Sequence, residues 1–524
     1  MDASQKELID KVVRIGITAI GAAVFTSVVL GMFQDPQSTS SIGNDNNSSS
    51  SASSSSSSSL KDNKESSSSS SGALLPGITK IGDATVLIPP RFIEGLIMLS
   101  EKASKEKYQM GWFDNWGSPA LILTNPEHVR VTLQHNVQHA LWGGLLPASA
   151  SFFGKKVLFI LEGDEWKELR NLMRESFKRQ ALPLLSEDIT ASAYELSTKI
   201  AVYADRQQPV DMNYALSVYH LTAVAKSSMG YNLNCMDHFY EGPEEVLQAF
   251  EFMLGELPRR AFSPDPKLSM DYTSDNEDNK KWNHHSKVVR DVVTKIVSAR
   301  LVEHSQGRQQ RNDLLDAMIG LYKAETGNLA SNDASVITSH IGDNLIELLF
   351  AGIGTSVAGA ATALYFLATN PEWYERVQKE VDLAITEAGS NIGVSYHQSQ
   401  FPLLTRVFKE SLRLIPPAPL VSRLINKDLN LDGAEIPANT VVWFPAIYLH
   451  NDKSVWGPDA DKFNPDRFIK DPVPGSYLPF ALGVSYIYYK SQWNYKIIKF
   501  IYSQENVLDN ILQLWNRLLL WLFY

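Results

Sequence analysis

Phe350-Ala351-Gly352-Ile353-Gly354-Thr355-Ser356 occupies the middle of the longest helical pattern of the chain, residues 333–369. Two glycines inside a helix cost about 1 kcal/mol each relative to alanine. They also remove side-chain bulk and let another group approach the backbone. Thr355 is one turn from Ala351 and shares its face. On this segment alone, close packing against a second helix is the simpler interpretation.

A charged pair lies downstream, where Glu410 and Arg413 stand three residues apart on one predicted helix face. Surface pairs at this spacing are common and weak. The apolar neighbours Leu404, Phe408 and Leu412 predict a partly buried helix, in which an unpaired charge is costly.

Two proline turns follow, Phe463-Asn464-Pro465-Asp466-Arg467-Phe468 and Tyr477-Leu478-Pro479-Phe480-Ala481-Leu482-Gly483. Each segment is weak alone, but the order and spacing of the set are informative. Thr355 lies 55 residues before Glu410, and the first proline turn begins 53 residues after it.

This set resembles the cytochromes P450, the haem-thiolate monooxygenases, over roughly residues 72–484. The resemblance implies a mainly α fold with small β-sheets, C-terminally incomplete here. In that family the long helix crosses over the haem, and its threonine helps to deliver protons to bound dioxygen. By that match Thr355 and Gly354 form the catalytic position, although the family usually has an acid where Gly354 stands. Ala351 and Gly352 are then among the residues that contact the cofactor.

The resemblance assigns further residues to the cofactor and its support. Glu410, Arg413 and Arg467 match the structural triad that buttresses the family's cysteine loop. The other cofactor-binding matches are Trp166, Arg170, Arg423 and Phe480. A guanidinium is the natural bidentate partner of a haem propionate, and each arginine has the alternative of a surface or helix-pair role.

The match fails where the family places the iron ligand. Ser485 stands at the position of the family's arginine and Ile487 at that of its cysteine, so the chain offers no metal ligand there. The thiolate donates electron density to iron and favours O–O cleavage. The chain has one cysteine, Cys235, far upstream. Tyrosinate at 486, 488 or 489 is an alternative ligand, but its reference pKa of about 10 calls for a nearby cation.

An unrelated tail replaces the rest of the family pattern. Residues 485–524 contain no glycine and no proline and are rich in tyrosine, isoleucine, lysine and leucine. Val484-Ser485 can be encoded by a splice-donor hexamer, so a retained intron or a wrongly predicted gene end is one hypothesis. A genuine, degenerate family member is the other.

The sequence of the N-terminal part predicts that the protein is tethered to a membrane. A flank of residues 1–14 precedes an uncharged stretch, 15–33, which is long enough to nearly cross a hydrocarbon core of about 30 Å. We interpret it as a single-pass anchor in the endoplasmic reticulum membrane, with the orientation left open. A linker follows at 34–72, with 20 serines between 38 and 71, and is predicted to be disordered.

The remainder, residues 73–484, is predicted to form one domain. The patterns predict strands at 108–113 and 120–124, a polar loop at 263–278, and helices at 164–177, 211–229, 244–257, 283–304 and 333–369.

Composition narrows the function. A net charge of −10 argues against nucleic acid as a partner, and a single cysteine excludes a disulfide framework or a multi-cysteine metal site in this chain. By resemblance we expect oxygen insertion into an apolar small molecule, with haem as cofactor and an NADPH-dependent reductase as partner. The segments 149–161 and 244–262 would shape the substrate pocket. Without the axial cysteine we expect this chain to be inactive or impaired. The alternatives are a non-catalytic, membrane-tethered binding protein and a mis-spliced gene product.

Overall fold

The computed structural model describes residues 77–480, with gaps at 89–90, 135–136, 140–144, 162, 177–181, 207, 309–310, 312, 327–333 and 389–400. The predicted flank, anchor and linker at residues 1–72, the tail at 485–524 and position 487 lie outside the described residues.

The described part of the chain is mostly helical with small sheets, which confirms the predicted fold class. The helices are α1 (Phe92–Ser104), α2 (Pro126–Gln134), α3 (Leu145–Phe153), α4 (Gly163–Ser176), α5 (Leu182–Asp205), α6 (Met212–Met229), α7 (Glu245–Ala261), α8 (Pro266–Ser269), α9 (Glu277–Ser305), α10 (Leu314–Thr326), α11 (Ala334–Thr369), α12 (Pro371–Ala388), α13 (Pro402–Leu414), α14 (Ala446–Leu449) and α15 (Lys453–Trp456). The strands are β1 (Lys80–Asp83), β2 (Met110–Asn115), β3 (Ser118–Leu123), β4 (Val137–His139), β5 (Val421–Ile425), β6 (Leu429–Leu431), β7 (Ala434–Ile436) and β8 (Val441–Phe444).

The larger sheet joins strands from both ends of the domain, in the order β1-β2-β3-β8-β5-β4. Strands β2 and β3 form an antiparallel hairpin, and β3 pairs in parallel with β8, with Ala120 opposite Val441. The smaller sheet is the hairpin of β6 and β7. Its turn residues Asp432 and Gly433 both have positive φ, as a two-residue type I′ turn requires.

Helix α11 is the central element and packs against α6, α9 and α13. Helix α6 has well-formed ends, because the Asp211 side chain accepts the N–H groups of Asn213 and Tyr214, and Gly230 ends it in a left-handed conformation. Most of α6 is buried, so the pair α6–α11 forms an interior layer on which the other helices lie.

Within the described residues, one helical span, Ile341–Thr369 of α11, has the length and apolar composition needed to cross a membrane. Its most apolar window is 67% buried inside the protein. Packing in the domain core therefore accounts for its composition.

The predicted strands and helices appear within a few residues of their expected positions, but the loop predicted at 263–278 was wrong in part. It contains the short helix α8 and the first residues of α9. Asn276 accepts the backbone N–H of Asn279 and so caps α9 well before residue 283, and the buried Trp282 fixes this first turn in the core.

Candidate functional site

The small-residue segment of α11 lies at the centre of the candidate site. Thr355 is half-buried, and its Oγ1 donates a hydrogen bond of 2.8 Å to the carbonyl oxygen of Ala351 one turn earlier. A Cβ at Gly352 would lie 3.2 Å from Val224 of α6. The absence of a side chain at Gly352 therefore lets α6 approach closely, as the helix-packing interpretation predicted, while Gly354 is buried beside it.

The three residues of the predicted triad come together. Arg413 donates from Nε to Glu410 Oε2 at 2.7 Å and from Nη2 to Oε1 at 2.8 Å, and both side chains have no exposed surface. Arg467 Nε lies 3.5 Å from Glu410 Oε1, and the backbone N–H of Asn464 donates to the same oxygen at 2.9 Å. Burial raises the pKa of Glu410, and the bonds from Arg413 oppose that rise.

Arg467 also holds the chain that precedes the second proline turn. Its Nη1 donates to the carbonyl oxygen of Trp456 at 2.7 Å, and its Nη2 donates to the carbonyl oxygen of Asp459 at 2.6 Å. The Asp459 carboxylate lies 2.6 Å from the same nitrogen. The guanidinium thus joins helix α13 to residues 456–468 through one buried acid.

His450 is a further residue of this arrangement, and sequence reasoning missed it. Its Nε2 accepts the backbone N–H of Leu478 at 2.6 Å, and its Nδ1 lies 3.3 Å from the carbonyl oxygen of Leu412. The ring is therefore neutral, with the proton on Nδ1. Burial lowers the pKa of His450 to about 3, and the nearby Arg413 guanidinium adds to this effect. A lone histidine at the end of a short helix carries no sequence signal for such a role.

Trp166 and Arg170 stand one turn apart on α4, as predicted. Arg170 is 2% exposed, and the centre of its guanidinium lies 5.4 Å from the centroid of the Trp166 ring. Stacking on an aromatic face is a usual way to hold an arginine in one orientation.

Arg423 is the more unusual of the two predicted propionate arginines. It lies on β5, is buried, and donates from Nη1 to the carbonyl oxygen of Ser422 at 2.7 Å. Burial lowers the pKa of Arg423 to about 10, and no acid among the described residues acts on it. A buried guanidinium without a neutralising carboxylate is costly, and an anionic ligand would offset that cost. The donor set therefore fits a propionate at this end of a haem.

The other end of the cofactor does not fit as well. Phe480 is half-buried against the main core and is the last described residue. The position that carries the axial ligand in the family lies beyond it, and the sequence has Ile487 there, which cannot coordinate iron.

Aromatic rings close the side of α11 that precedes Ala351. The rings of Phe152 and Phe153 lie 5.6 Å and 5.2 Å from that of Phe350. All three side chains are buried, as is Phe250 of α7. Phe252, which lies in the same predicted pocket segment, stacks on His285 of α9, with 4.2 Å between the ring centroids.

Comparisons with known proteins point to one family. The family model described as Cytochrome P450 matches residues 97–485 and so ends two residues before Ile487. Among curated proteins, the chain is 26% identical to cytochrome P450 3A12 of Canis lupus familiaris, over 72% of this chain and 74% of that protein. It is 25% identical to probable cytochrome P450 313a1 of Drosophila melanogaster, over 75% and 79%. It is 36% identical to cytochrome P450 714C2 of Oryza sativa subsp. japonica, over 39% of this chain and 38% of that protein.

Proposed function

The chain belongs to the cytochrome P450 family of haem-dependent monooxygenases, and from this we propose that its fold is built to insert one oxygen atom of O₂ into an apolar small molecule. We further propose that the chain with this sequence is inactive or severely impaired. The electrons would come from an NADPH-dependent reductase.

The observation that carries the proposal is the buried cluster of Glu410, Arg413 and Arg467. Two guanidinium groups and one backbone N–H converge on a single carboxylate with no exposed surface. Burying such a charge network costs free energy. Its presence therefore indicates that the fold still positions the segment leading to residue 480.

Arg170 and Arg423 are the residues that would hold the two propionates. Each is buried, and a guanidinium is the natural bidentate partner of a carboxylate. Haem, when bound, supplies the oxygen-activating chemistry. The half-buried Thr355 hydroxyl donates a hydrogen bond to the carbonyl oxygen of Ala351. To act on the cofactor, it would break that bond and turn its O–H group toward the cofactor face.

Two features support the loss of activity. Ile487 offers no electron pair to iron, and the one cysteine of the chain, Cys235, lies 252 residues before it. Gly354 stands where the family usually has an acid, so the residue before Thr355 offers no carboxyl group for proton delivery.

The reduced carbon-monoxide difference spectrum of the full-length chain tests the proposal. We expect no thiolate-type Soret band, and such a band would show that a cysteine ligand is present after all. Haemin titration of the Arg423→Gln variant gives a second measurement, with the exposed Lys427→Gln as its control. We expect the first substitution alone to weaken haemin binding by at least tenfold.

A non-catalytic binding protein is the second candidate, and the missing ligand favours it. Complete absence of haemin binding would support it. The sequence of the genomic DNA after the Gly483 codon decides between a retained intron and a genuine family member. A spliced frame that restores an Arg-x-Cys-x-Gly run would show that the tail at 485–524 is intronic.

We also propose that residues 15–33 anchor the protein in the endoplasmic reticulum membrane. The support is the uncharged 19-residue stretch of sequence. Extraction of cell membranes with alkaline carbonate tests it, since an anchored chain stays in the pellet and a peripheral one is released.

A further inference from the structure

A short segment, residues 154–160, connects α3 to α4 and crosses the face of α11; we name it the strap. It contains Phe159, whose buried ring lies 6.2 Å from that of Phe153. Because Phe153 in turn lies against Phe350, the strap completes the aromatic wall that precedes Ala351.

The strap is held by its backbone. The Glu347 carboxylate accepts the N–H of Leu158 at Oε2, over 3.1 Å, and the N–H of Phe159 at Oε1, over 2.7 Å. One turn earlier on α11, Asn344 Nδ2 donates to the carbonyl oxygen of Lys156 at 3.0 Å. These bonds fix the path of the strap whatever its side chains are.

A third contact fixes the start of the strap. Arg290 of α9 donates from Nη2 to the carbonyl oxygen of Phe152 at 2.8 Å, and its Nη1 lies 2.5 Å from Asp343 Oδ1. Gly154 has a φ of +94°, and a Cβ there would collide with the Asp343 carboxylate. Only glycine therefore allows this approach of the strap to α11.

Glu347 is an unexpected residue at this place. The residue is 3% exposed. Among the described residues, the backbone N–H groups of Phe159 and Leu158 are the groups that stabilise its charged form, and no basic side chain neutralises it. Burial raises the pKa of Glu347 to about 8, and the N–H groups of Phe159 and Leu158 oppose that rise. A buried acid without a neutralising cation lowers the stability of the fold, whereas an apolar side chain packed at the same place would not.

We propose that Glu347 is a positioning residue whose carboxyl clamps the strap to α11 and thereby sets the aromatic wall in front of Ala351. The clamp stands on these contacts alone. Its consequence for ligand access rests on the proposed function, since the wall then limits what reaches the oxygen-activating face of α11.

Glu380 provides a matched control. Its carboxylate also accepts two successive backbone N–H groups, those of Leu403 at 2.7 Å and Leu404 at 2.9 Å, and burial also raises its pKa. It lies on α12 and caps α13. It therefore accepts the same kind of backbone bonds as Glu347, with Arg406 as an additional neighbouring cation, but it lies on a helix away from the strap.

Hydrogen–deuterium exchange of the full-length chain tests the clamp. In Glu347→Leu we expect the amides of Leu158 and Phe159 to exchange at least tenfold faster, while amides in the α6–α11 layer are unchanged. Glu347→Gln keeps one acceptor oxygen and should lie between leucine and wild type. Glu380→Leu should accelerate exchange at Leu403 and Leu404 and leave the strap protected.

This pattern separates positioning from general stabilisation. A residue that only stabilised the fold would lower the protection of the strap and of the α6–α11 layer together. Unchanged exchange in the strap of Glu347→Leu, or equal acceleration in Glu380→Leu, overturns the clamp.

Binding of the apolar dye 1-anilinonaphthalene-8-sulfonate tests the consequence for access. We expect Glu347→Leu to bind more dye than the wild type, because a released strap exposes the aromatic wall, and Glu380→Leu to bind no more. A released strap with unchanged dye binding overturns the role in access. Neither measurement uses haem, so a failure here is distinct from a failure of the proposed monooxygenase function.

Discussion

At the scale of single residues, the Glu410–Arg413 pair shows how a charge is kept inside the core. Arg413 has no exposed surface and gives two of its donors to one carboxylate and a third to the carbonyl oxygen of His450. Each partner therefore depends on the other for its desolvation to be tolerable.

We expect Arg413→Met to lower the free energy of unfolding by about 3–5 kcal/mol, because it leaves the buried Glu410 carboxylate without its main partner. Urea denaturation measures this. The exposed pair Lys167–Asp164 has the same spacing in sequence, so Lys167→Ala serves as the control and should shift the midpoint little. Similar losses in both variants would contradict the importance of burial.

His450 gives the fold a dependence on pH. Its pKa is lowered to about 3 in the folded state, against an ordinary value of 6.5. Below pH 6.5 the unfolded chain therefore takes up a proton that the folded chain refuses, and stability falls as the pH falls toward 3.

We expect His450→Gln to remove this dependence, since the amide oxygen can still accept the N–H of Leu478 but does not titrate in this range. Relative to the variant, the wild type should lose up to about 1.4 kcal/mol of unfolding free energy per pH unit below 6.5. Chemical denaturation at several pH values between 5 and 7 measures it, and parallel curves for the two proteins would disprove it.

Residues whose chemistry is unusual for their neighbourhood could be predicted from the sequence, and residues that serve the backbone could not. Glu410 and Arg413 are recognisable in the sequence because they are charged residues with apolar neighbours on a predicted helix. Glu347 and His450 accept backbone N–H groups of segments far away in the chain, at Phe159 and Leu478, and nothing local marks them. Their partners exist only once the tertiary fold brings the segments together.

At the scale of elements, glycine has two opposite roles in the helices. A Cβ at Gly95 of α1 would collide with the carbonyl oxygen of Val86, so this glycine lets α1 cross the preceding turn of chain. A Cβ at Gly255 of α7 would meet nothing within 4 Å. The first glycine is required by packing and the second is not.

We therefore expect Gly255→Ala to raise the unfolding free energy by about 0.5–1 kcal/mol, because alanine loses less backbone entropy in a helix. Gly95→Ala, the same chemical change, should destabilise the protein. Thermal unfolding of the two variants measures both signs, and a stabilising Gly95→Ala would contradict the close approach.

Helix ends were harder to predict than helix positions. The apolar pattern of α9 becomes regular only after residue 283, but the helix begins at Glu277 because Asn276 caps it and Arg260 stacks on Trp282 and Tyr272. A cap and a cation–π contact lie outside the periodic pattern, so periodicity alone starts the helix too late.

At the scale of the whole molecule, the sequence predicts that the domain does not depend on residues 1–72. A serine-rich segment cannot bury enough apolar surface to offset its ordering entropy. We expect a chain that lacks residues 1–72 to keep its thermal unfolding midpoint within a few degrees, while it no longer sediments with membranes. A large drop in the midpoint would show that the N-terminal part contributes to the folded core.

The pairing of β3 with β8 has a consequence for synthesis. Ala120 and Val441 are partners, yet roughly 320 residues separate them, and a ribosome that adds about 5–20 residues per second needs on the order of 15–65 s to bridge that distance. Throughout this interval the nascent hairpin of β2 and β3 has an open edge at β3. Binding of a chaperone to that edge would then determine how much folded protein a cell obtains. Slow translation would lengthen the exposure of the edge and lower this yield.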